Sequence, residues 1–128
     1  MEQDDLPFAT IVQHKPDLAE LIVNDRVELD GDKVARIHQY LLQHFQLPIR
    51  LLVNRQHRIL FNYEGQQRFA AIPEIIATAF WAEHPLTELS CQVWLATPRP
   101  LPWNARVFSE RQQALQWLNE GEALKAAG

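Results

Sequence analysis

The chain has 128 residues, of which 47% are hydrophobic and 22% are charged, and its net charge is −4. This length suits one domain with its own core, and the composition is that of a globular protein. The acidic balance argues against a general nucleic-acid binder. The single cysteine, Cys91, excludes an internal disulfide and a thiolate zinc site.

The first part of the chain predicts two short strands. Residues 7–13 and 18–24 are apolar and rich in β-branched side chains, and residues 14–17 form the turn between them, with Pro16 setting the bend. Residues 27–29 follow a polar turn and are interpreted as a short strand or as a lead-in to the next element.

A helix is predicted after Asp30, which has the side chain of an N-cap. Its apolar residues recur at spacings of three, four and four, which gives one continuous stripe at the helical period. They are Val34, Ile37, Leu41 and Phe45. Pro48 is predicted to stop this helix.

The middle of the chain predicts two strands that are buried on both faces. Residues 49–53 and 75–81 are nearly all apolar, as the strands of a parallel sheet are. The segment between them is ambiguous, and a helix over residues 64–71 is the preferred interpretation.

Residues 86–96 allow two interpretations. Three of their apolar residues have helical spacing, whereas residues 90–96 alternate loosely like a strand. The residues at helical spacing are Leu86, Leu89 and Val93. A proline-rich connection at residues 98–102 then leads to a predicted edge strand at residues 105–108.

The closing segment predicts an amphipathic helix. Ser109 and Gln112 have the spacing of a capping box, and Gly121 is expected to end the helix. Its predicted buried residues are Ala114, Trp117 and Leu118. Residues 120–128 are small and polar, and we expect a flexible tail.

Buried strands that alternate with amphipathic helices predict a single-domain α/β sandwich, with a mixed, mainly parallel sheet and helices packed on it. The order of elements resembles the SpoIIAA-like (STAS/SEC14-like) bacterial domains over about residues 8–119. The similar segments are residues 30–42, LLVNRQHRILFNYEGQQ and ARVFSERQQALQWL. The resemblance implies a domain similar to anti-sigma-factor antagonists and to the cytosolic domains of sulphate transporters. It also favours a helix over residues 86–96.

The chain departs from this family at one place. Anti-sigma-factor antagonists are switched by phosphorylation of a serine or threonine in the turn after a central strand. The matching turn here, residues 54–58, holds no hydroxyl group, and the only serines are Ser90 and Ser109. We therefore expect no phosphorylation switch.

The same turn, Asn54-Arg55-Gln56-His57-Arg58, is the leading candidate for a binding site. It follows a strand at the carboxyl edge of the predicted sheet, where α/β folds place their ligands. Two exposed arginines are able to clamp a carboxylate or a phosphate, and a histidine between them adds a side chain whose charge depends on pH. The alternative is an ordinary solvated turn.

Trp103 is a second candidate, because it lies in the proline-rich connection, where an aromatic side chain either contacts a partner or packs on the core. Cys91 is interpreted as a small buried residue. His38 and His44 are six residues apart and lie on different faces of their helix, so the sequence predicts no metal site. No catalytic motif is present in the sequence.

These residues predict a non-catalytic binding or regulatory module, without a cofactor, whose partner is a protein or a small ligand. The alternatives are a carrier or sensor of a small apolar or anionic ligand, and a small hydrolase or transferase without a recognisable motif. A homodimer through an exposed sheet edge is a further expectation. We expect no nucleic-acid binding, no membrane insertion and a cytoplasmic location, because no apolar run approaches ~18 residues and the start MEQDDLPFAT is acidic.

Overall fold

A computed structural model describes residues 6–98 and 102–120. In chain order, its helices and strands are β1 (Ala9–Lys15), β2 (Leu18–Val23), β3 (Glu28–Leu29), α1 (Gly31–His44), β4 (Ile49–Asn54), β5 (Leu60–Phe61), α2 (Tyr63–Phe69), β6 (Ile75–Trp81), α3 (Pro85–Ala96), β7 (Ala105–Phe108) and α4 (Arg111–Asn119).

Five of these strands form one mixed sheet in the order β1-β2-β4-β6-β7. β1 is antiparallel to β2, and every other neighbouring pair in this sheet is parallel. β3 and β5 pair separately, in parallel, over two residues each. The sheet confirms the predicted α/β fold with mixed, mainly parallel strands.

Helices cover the two faces of the sheet unequally. α1, α2 and α3 pack on one face over the larger apolar cluster, and α4 packs on the other over a smaller cluster. Alternate residues of β4 enter different clusters, with Leu51 and Val53 in the larger one and Leu52 in the smaller one. All six residues of β4 are buried, which confirms the prediction of a strand covered on both faces.

The first helix has the cap and the buried face that the sequence predicts. Oδ1 of Asp30 accepts a hydrogen bond from the backbone nitrogen of Lys33 at 2.9 Å. All four residues of the apolar stripe are buried. The helix ends at His44, and Phe45 is its C-cap.

Two helices occupy the segments that the sequence left ambiguous. Residues 86–96 are helical, and Nδ1 of His84 accepts a hydrogen bond from the backbone nitrogen of Leu86 at 3.2 Å where α3 begins. α2 starts one residue earlier than predicted, where Asn62 caps it, and ends two residues earlier, at Phe69. Oδ1 of Asn62 accepts a hydrogen bond from the backbone nitrogen of Gly65 at 2.8 Å.

Two local predictions are wrong. β1 extends to Lys15, so His14 and Lys15 belong to a strand and not to the turn that follows it. α4 has Glu110 as its N-cap, with no hydrogen bond from a side chain, so the capping box at Ser109 is not formed. The predicted buried face of α4 is confirmed. Gly121, which was expected to end the helix, lies outside the described residues.

Candidate functional site

The predicted turn at residues 54–58 is divided by the sheet, because its first two side chains point to opposite faces. Asn54 is the last residue of β4 and is 5% exposed. Its Nδ2 donates a hydrogen bond to Oε2 of Glu20 on the neighbouring strand at 2.9 Å. Asn54 therefore joins two strands and is not part of an exposed turn.

Arg55 points to the other face, where it contacts α3. Its Nη1 lies 3.4 Å from Sγ of Cys91, and its Nη2 donates to the carbonyl oxygen of Ile59 at 3.4 Å. Its Nε is buried without a hydrogen-bond partner, and within residues 6–98 and 102–120 no carboxylate forms an ion pair with it. Burial lowers the pKa of Arg55. The guanidinium is thus a largely buried cation, and not the exposed one that we expected.

The remaining residues of the turn face solvent. Gln56, His57 and Arg58 are exposed. The backbone nitrogen of Arg58 donates to Oδ1 of Asp25 at 2.8 Å, and this bond lowers the pKa of Asp25. Nη2 of Arg58 also lies 3.8 Å from Oδ2 of Asp25. Arg58 is therefore an exposed cation that already has a carboxylate beside it.

A polar cluster around a buried carboxylate, which the sequence did not predict, lies on the α4 face of the sheet. Glu20 is 3% exposed, and its Oε1 is hydrogen-bonded to Nε2 of His14 at 2.7 Å and to Nη2 of Arg111 at 2.5 Å. With Asn54, these residues form what we call the Glu20 cluster. Burial alone raises the pKa of Glu20, but hydrogen bonds from His14, Arg111 and Asn54 outweigh it and hold the pKa below its ordinary value.

The sequence held a signal for this cluster. Glu20 is the only charged residue in the strand LAELIV, and its position places it on the same face as Leu18. A charge at a buried strand position needs partners, so this carboxylate indicates a polar cluster. The cluster joins β1, β2 and β4 to the first residue of α4.

Trp103 is half-buried and belongs to a group of packed aromatic rings. Its ring centroid lies 5.1 Å from that of Trp94, 5.8 Å from that of Phe80 and 6.4 Å from that of Phe69. These contacts place Trp103 against the larger apolar cluster, and the binding of an apolar ligand beneath it stays a prediction. Contact between Trp103 and a partner stays a prediction.

Cys91 lies at the contact between α3 and the sheet. It is 1% exposed, and burial raises the pKa of its thiol. A neutral, enclosed thiol fits the predicted role as a small buried residue.

The outer side of α3 is the most apolar exposed surface on a described helix. Its exposed residues are Pro85, Leu86, Leu89, Ser90, Gln92, Val93 and Ala96, and none of them is charged. Leu86 is 70% exposed, Leu89 55% and Val93 62%. We call the five apolar residues in this set the α3 face. The helical spacing that favoured a helix here therefore marks a solvent-facing stripe and not a buried one.

Two other kinds of site receive no support from the described part of the chain. No group of three or more histidine, cysteine, aspartate or glutamate side chains is placed to hold a metal ion among the described residues. His38, one of the histidines considered above, is hydrogen-bonded to Glu74 at 2.8 Å. Over the same two segments, no helix is long and apolar enough to cross a bilayer.

The fold has a counterpart among solved structures. The chain is similar to an uncharacterized protein of the DUF3478 family with a SpoIIAA-like fold, from Shewanella loihica PV-4. The two chains are 15% identical, with a TM-score of 0.52 over 86% of this chain and 91% of that one. No known protein family matches the sequence, and no curated protein is similar to it. The chain is thus a single α/β domain with a SpoIIAA-like fold, as the sequence resemblance implied.

Proposed function

We propose that this protein is a non-catalytic binding module that docks a protein partner through the α3 face. The observation that carries the proposal is the row of exposed, uncharged aliphatic side chains at Leu86, Leu89 and Val93. Single exposed leucines are ordinary on a protein surface, but a contiguous apolar stripe is typical of an interaction site.

The other helices show how unusual this surface is within the molecule. The exposed residues of α4 are all polar amides, namely Gln112, Gln113, Gln116 and Asn119. α1 exposes one leucine, Leu42, among charged and polar residues. An amphipathic helix that packs on a sheet turns its polar residues to water, and α1 and α4 follow this rule. α3 does not, so its outer side is suited to a second contact.

The spacing of the α3 face indicates the shape of the partner. Residues at i, i+3 and i+7 are the anchors of a helix that lies in an apolar groove. A groove that encloses Leu86, Leu89 and Val93 removes more of their surface from water than a flat contact does. Because the face carries no charge, we expect binding that is insensitive to salt.

Site-specific photo-crosslinking tests this proposal. A photo-reactive amino acid replaces Leu89 on the α3 face in one variant and Leu42 on α1 in the matched control. We expect a discrete covalent adduct with a second protein only from position 89, in an extract of the native cells. The captured protein, once purified, should bind the wild type, and Leu89→Glu should weaken the complex by about ten-fold or more.

The controls separate loss of binding from loss of folding. Leu42→Glu should bind like the wild type, and all variants should melt within a few degrees of it, because both positions are exposed. The proposal fails if position 89 gives no adduct, or if the captured protein, once purified, does not bind the wild type. It also fails if Leu89→Glu and Leu42→Glu bind the captured protein equally well.

A second candidate function is the binding of a small anion at Arg55. It is favoured by the buried Nε without a hydrogen-bond partner and by the lack of a carboxylate paired with this guanidinium among the described residues. A buried cation is more stable with an anion beside it. We expect phosphate to raise the melting temperature of the wild type and of Arg58→Ala but not of Arg55→Met. Equal shifts in all three proteins would exclude Arg55 as the anion site.

A further inference from the structure

α3 begins at a histidine. His84 is its N-cap, and Nδ1 of this side chain accepts a hydrogen bond from the backbone nitrogen of Leu86 at 3.2 Å. A backbone N–H can only donate, so Nδ1 must carry a lone pair and not a proton. The contact therefore requires the neutral imidazole, with its proton on Nε2. The usual N-caps are serine, threonine, aspartate and asparagine, and none of them loses its acceptor near neutral pH.

The protonated imidazole cannot act as this cap. Both of its ring nitrogens are donors, so the hydrogen bond with Leu86 is lost when His84 gains a proton. The imidazolium also places a positive charge at the positive end of the helix dipole. Histidine is the side chain whose charge ordinarily changes between about pH 5 and pH 8. The start of α3 therefore contains a hydrogen bond that depends on pH.

The carboxylates near His84 in the sequence do not offset this loss. Glu83 precedes it and is exposed, and Glu88 lies in the first turn of α3 and is half-buried. Over residues 6–98 and 102–120, the histidines that pair with a carboxylate are His14 and His38. In this arrangement, protonation of His84 therefore removes the cap without an ion pair to a described carboxylate.

The first turn of α3 has little packing that could replace the cap. The buried residues of α3 are Cys91 and Trp94, which lie in its second and third turns. The first turn of α1, by contrast, includes the buried Gly31 and Val34 beside the aspartate that caps it. A short helical segment without buried contacts depends on local interactions for its stability. The start of α3 therefore depends on its cap more than the start of α1 does.

We propose that His84 is a pH-dependent cap, whose protonation loosens the first turn of α3 and weakens docking at the α3 face. Leu86 links the two effects, because it donates to the cap and is 70% exposed on that face. When the first turn opens, Leu86 leaves its helical spacing with Leu89 and Val93, and a groove that fits the stripe loses one anchor. The effect on docking rests on the proposed function, whereas the effect on the first turn does not.

Amide hydrogen exchange of the full chain, followed by NMR, measures the first turn directly. The backbone nitrogen of Glu88 donates to the carbonyl oxygen of His84, so its exchange reports the opening of this turn. After correction for the intrinsic pH dependence of exchange, its protection should fall about three-fold to ten-fold from pH 7.5 to pH 5. The matched reference is the amide of Val34, which donates to the carbonyl oxygen of Asp30 in α1. Its protection should not change, because an aspartate cap stays ionised over this range.

Two substitutions separate the charge of His84 from its role as a cap. His84→Asn keeps an acceptor that does not titrate near neutral pH, so the protection of the Glu88 amide should become independent of pH. His84→Ala removes the cap, so this protection should be low at every pH. His57→Asn changes another exposed histidine and should keep the pH dependence of the wild type. All three variants change exposed residues, so they should fold like the wild type.

The effect on docking is measured with the protein that is captured at position 89. The ratio of its dissociation constant for the wild type to that for His84→Asn should rise about three-fold or more from pH 7.5 to pH 5.5. This ratio cancels any pH dependence of the captured protein itself.

A Glu88 amide with equal protection at both pH values in the wild type overturns the proposal, and so does an unchanged pH dependence in His84→Asn. A pH-dependent first turn with a constant ratio of dissociation constants overturns the effect on docking alone. If position 89 captures no protein, the proposed function fails, and hydrogen exchange still decides whether His84 is a pH-dependent cap.

Discussion

Glu20 is a buried carboxylate whose hydrogen bonds come from three other strands and helices. Glu20→Gln keeps the size of the side chain but removes its charge. We expect the free energy of unfolding to fall by about 1–3 kcal/mol, as for a buried hydrogen-bonded group that loses its partner. The loss stays moderate because the side chain of Arg111 is 38% exposed and can turn to water. Urea unfolding at pH 7 measures it, with the exposed Glu28→Gln as a control.

The same residue gives the stability a defined pH dependence. The pKa of Glu20 is lower in the folded protein than its ordinary value of about 4.3. The unfolded chain therefore takes up the proton first as the pH falls, and the contribution of Glu20 is complete above the ordinary value and lost below the folded one. We expect the difference between the wild type and Glu20→Gln to stay constant above the ordinary value and to shrink as the pH falls below it. A difference that stays constant with pH would show that the charge of Glu20 contributes nothing.

Arg55 and Arg58 are three residues apart but should respond to mutation in different ways. Arg58 is 76% exposed, and Arg58→Ala should change stability by less than about 0.5 kcal/mol. Arg55→Met replaces a largely buried cation, for which the described residues supply no counterion, by an apolar side chain of similar length. We expect the melting temperature of this variant to be unchanged or higher. A marked fall would mean that contacts of the guanidinium, such as the one with the Phe61 ring, outweigh its burial.

The candidate site was only partly predictable because the type of a residue does not reveal which face of the sheet its side chain points to. The sequence shows that residues 54–58 are polar. Side chains alternate between the two faces of the sheet along β4, and this alternation places Asn54 and Arg55 on opposite faces. Counting onwards from Val53 in the larger cluster places Arg55 on the same face. The alternation of side chains along a strand predicts this placement only when the last residue of the strand is known. Sequence patterns define the ends of strands least well.

α2 and β3 approach each other closely at Gly65, so a side chain at this position should disturb the packing of both elements. A Cβ at Gly65 would overlap the backbone carbonyl oxygen of Leu29. Gly65→Ala should therefore destabilise the protein by about 1–3 kcal/mol through overpacking. Gly31→Ala is the matched control, since the three atoms nearest its Cβ all belong to the side chain of Glu64, which is 63% exposed and can move. We expect a change within about 0.5 kcal/mol there, and equal losses in both variants would contradict the close approach at Gly65.

Elements with a complete local signal were predictable, and those defined by distant contacts were not. α1 has its cap and its stripe within its own residues, so its start and its buried face follow from the sequence alone. The pairing of β3 with β5 joins two residues to two residues across a long stretch of chain, and no local pattern specifies it. α3 was ambiguous for another reason. Its apolar residues occur on both sides, so its period alone did not show which side is buried.

At the scale of the whole molecule, the central strands tie the two apolar clusters together. β6 supplies Ala79 and Trp81 to the cluster under α4, and Phe80 between them to the cluster under α1. β4 alternates in the same way. Neither cluster can lose its packing without removing support from strands that the other needs. We therefore expect the protein to unfold as one cooperative unit. The sequence alone did not show which face each helix covers.

Leu118→Ala and Leu41→Ala test this cooperativity from opposite faces of the sheet. Both leucines are fully buried, in the smaller and the larger cluster respectively, so each change should lower the free energy of unfolding by about 2–5 kcal/mol. In both variants, far-UV circular dichroism and tryptophan fluorescence should give one coincident transition. Hydrogen exchange should show that the amides of β4 lose protection in proportion to the fall in the free energy of unfolding, with the same proportion in both variants. Two separated transitions in Leu118→Ala, with the amides of α4 losing protection before those of α1, would mean that α4 and its cluster unfold as an independent unit.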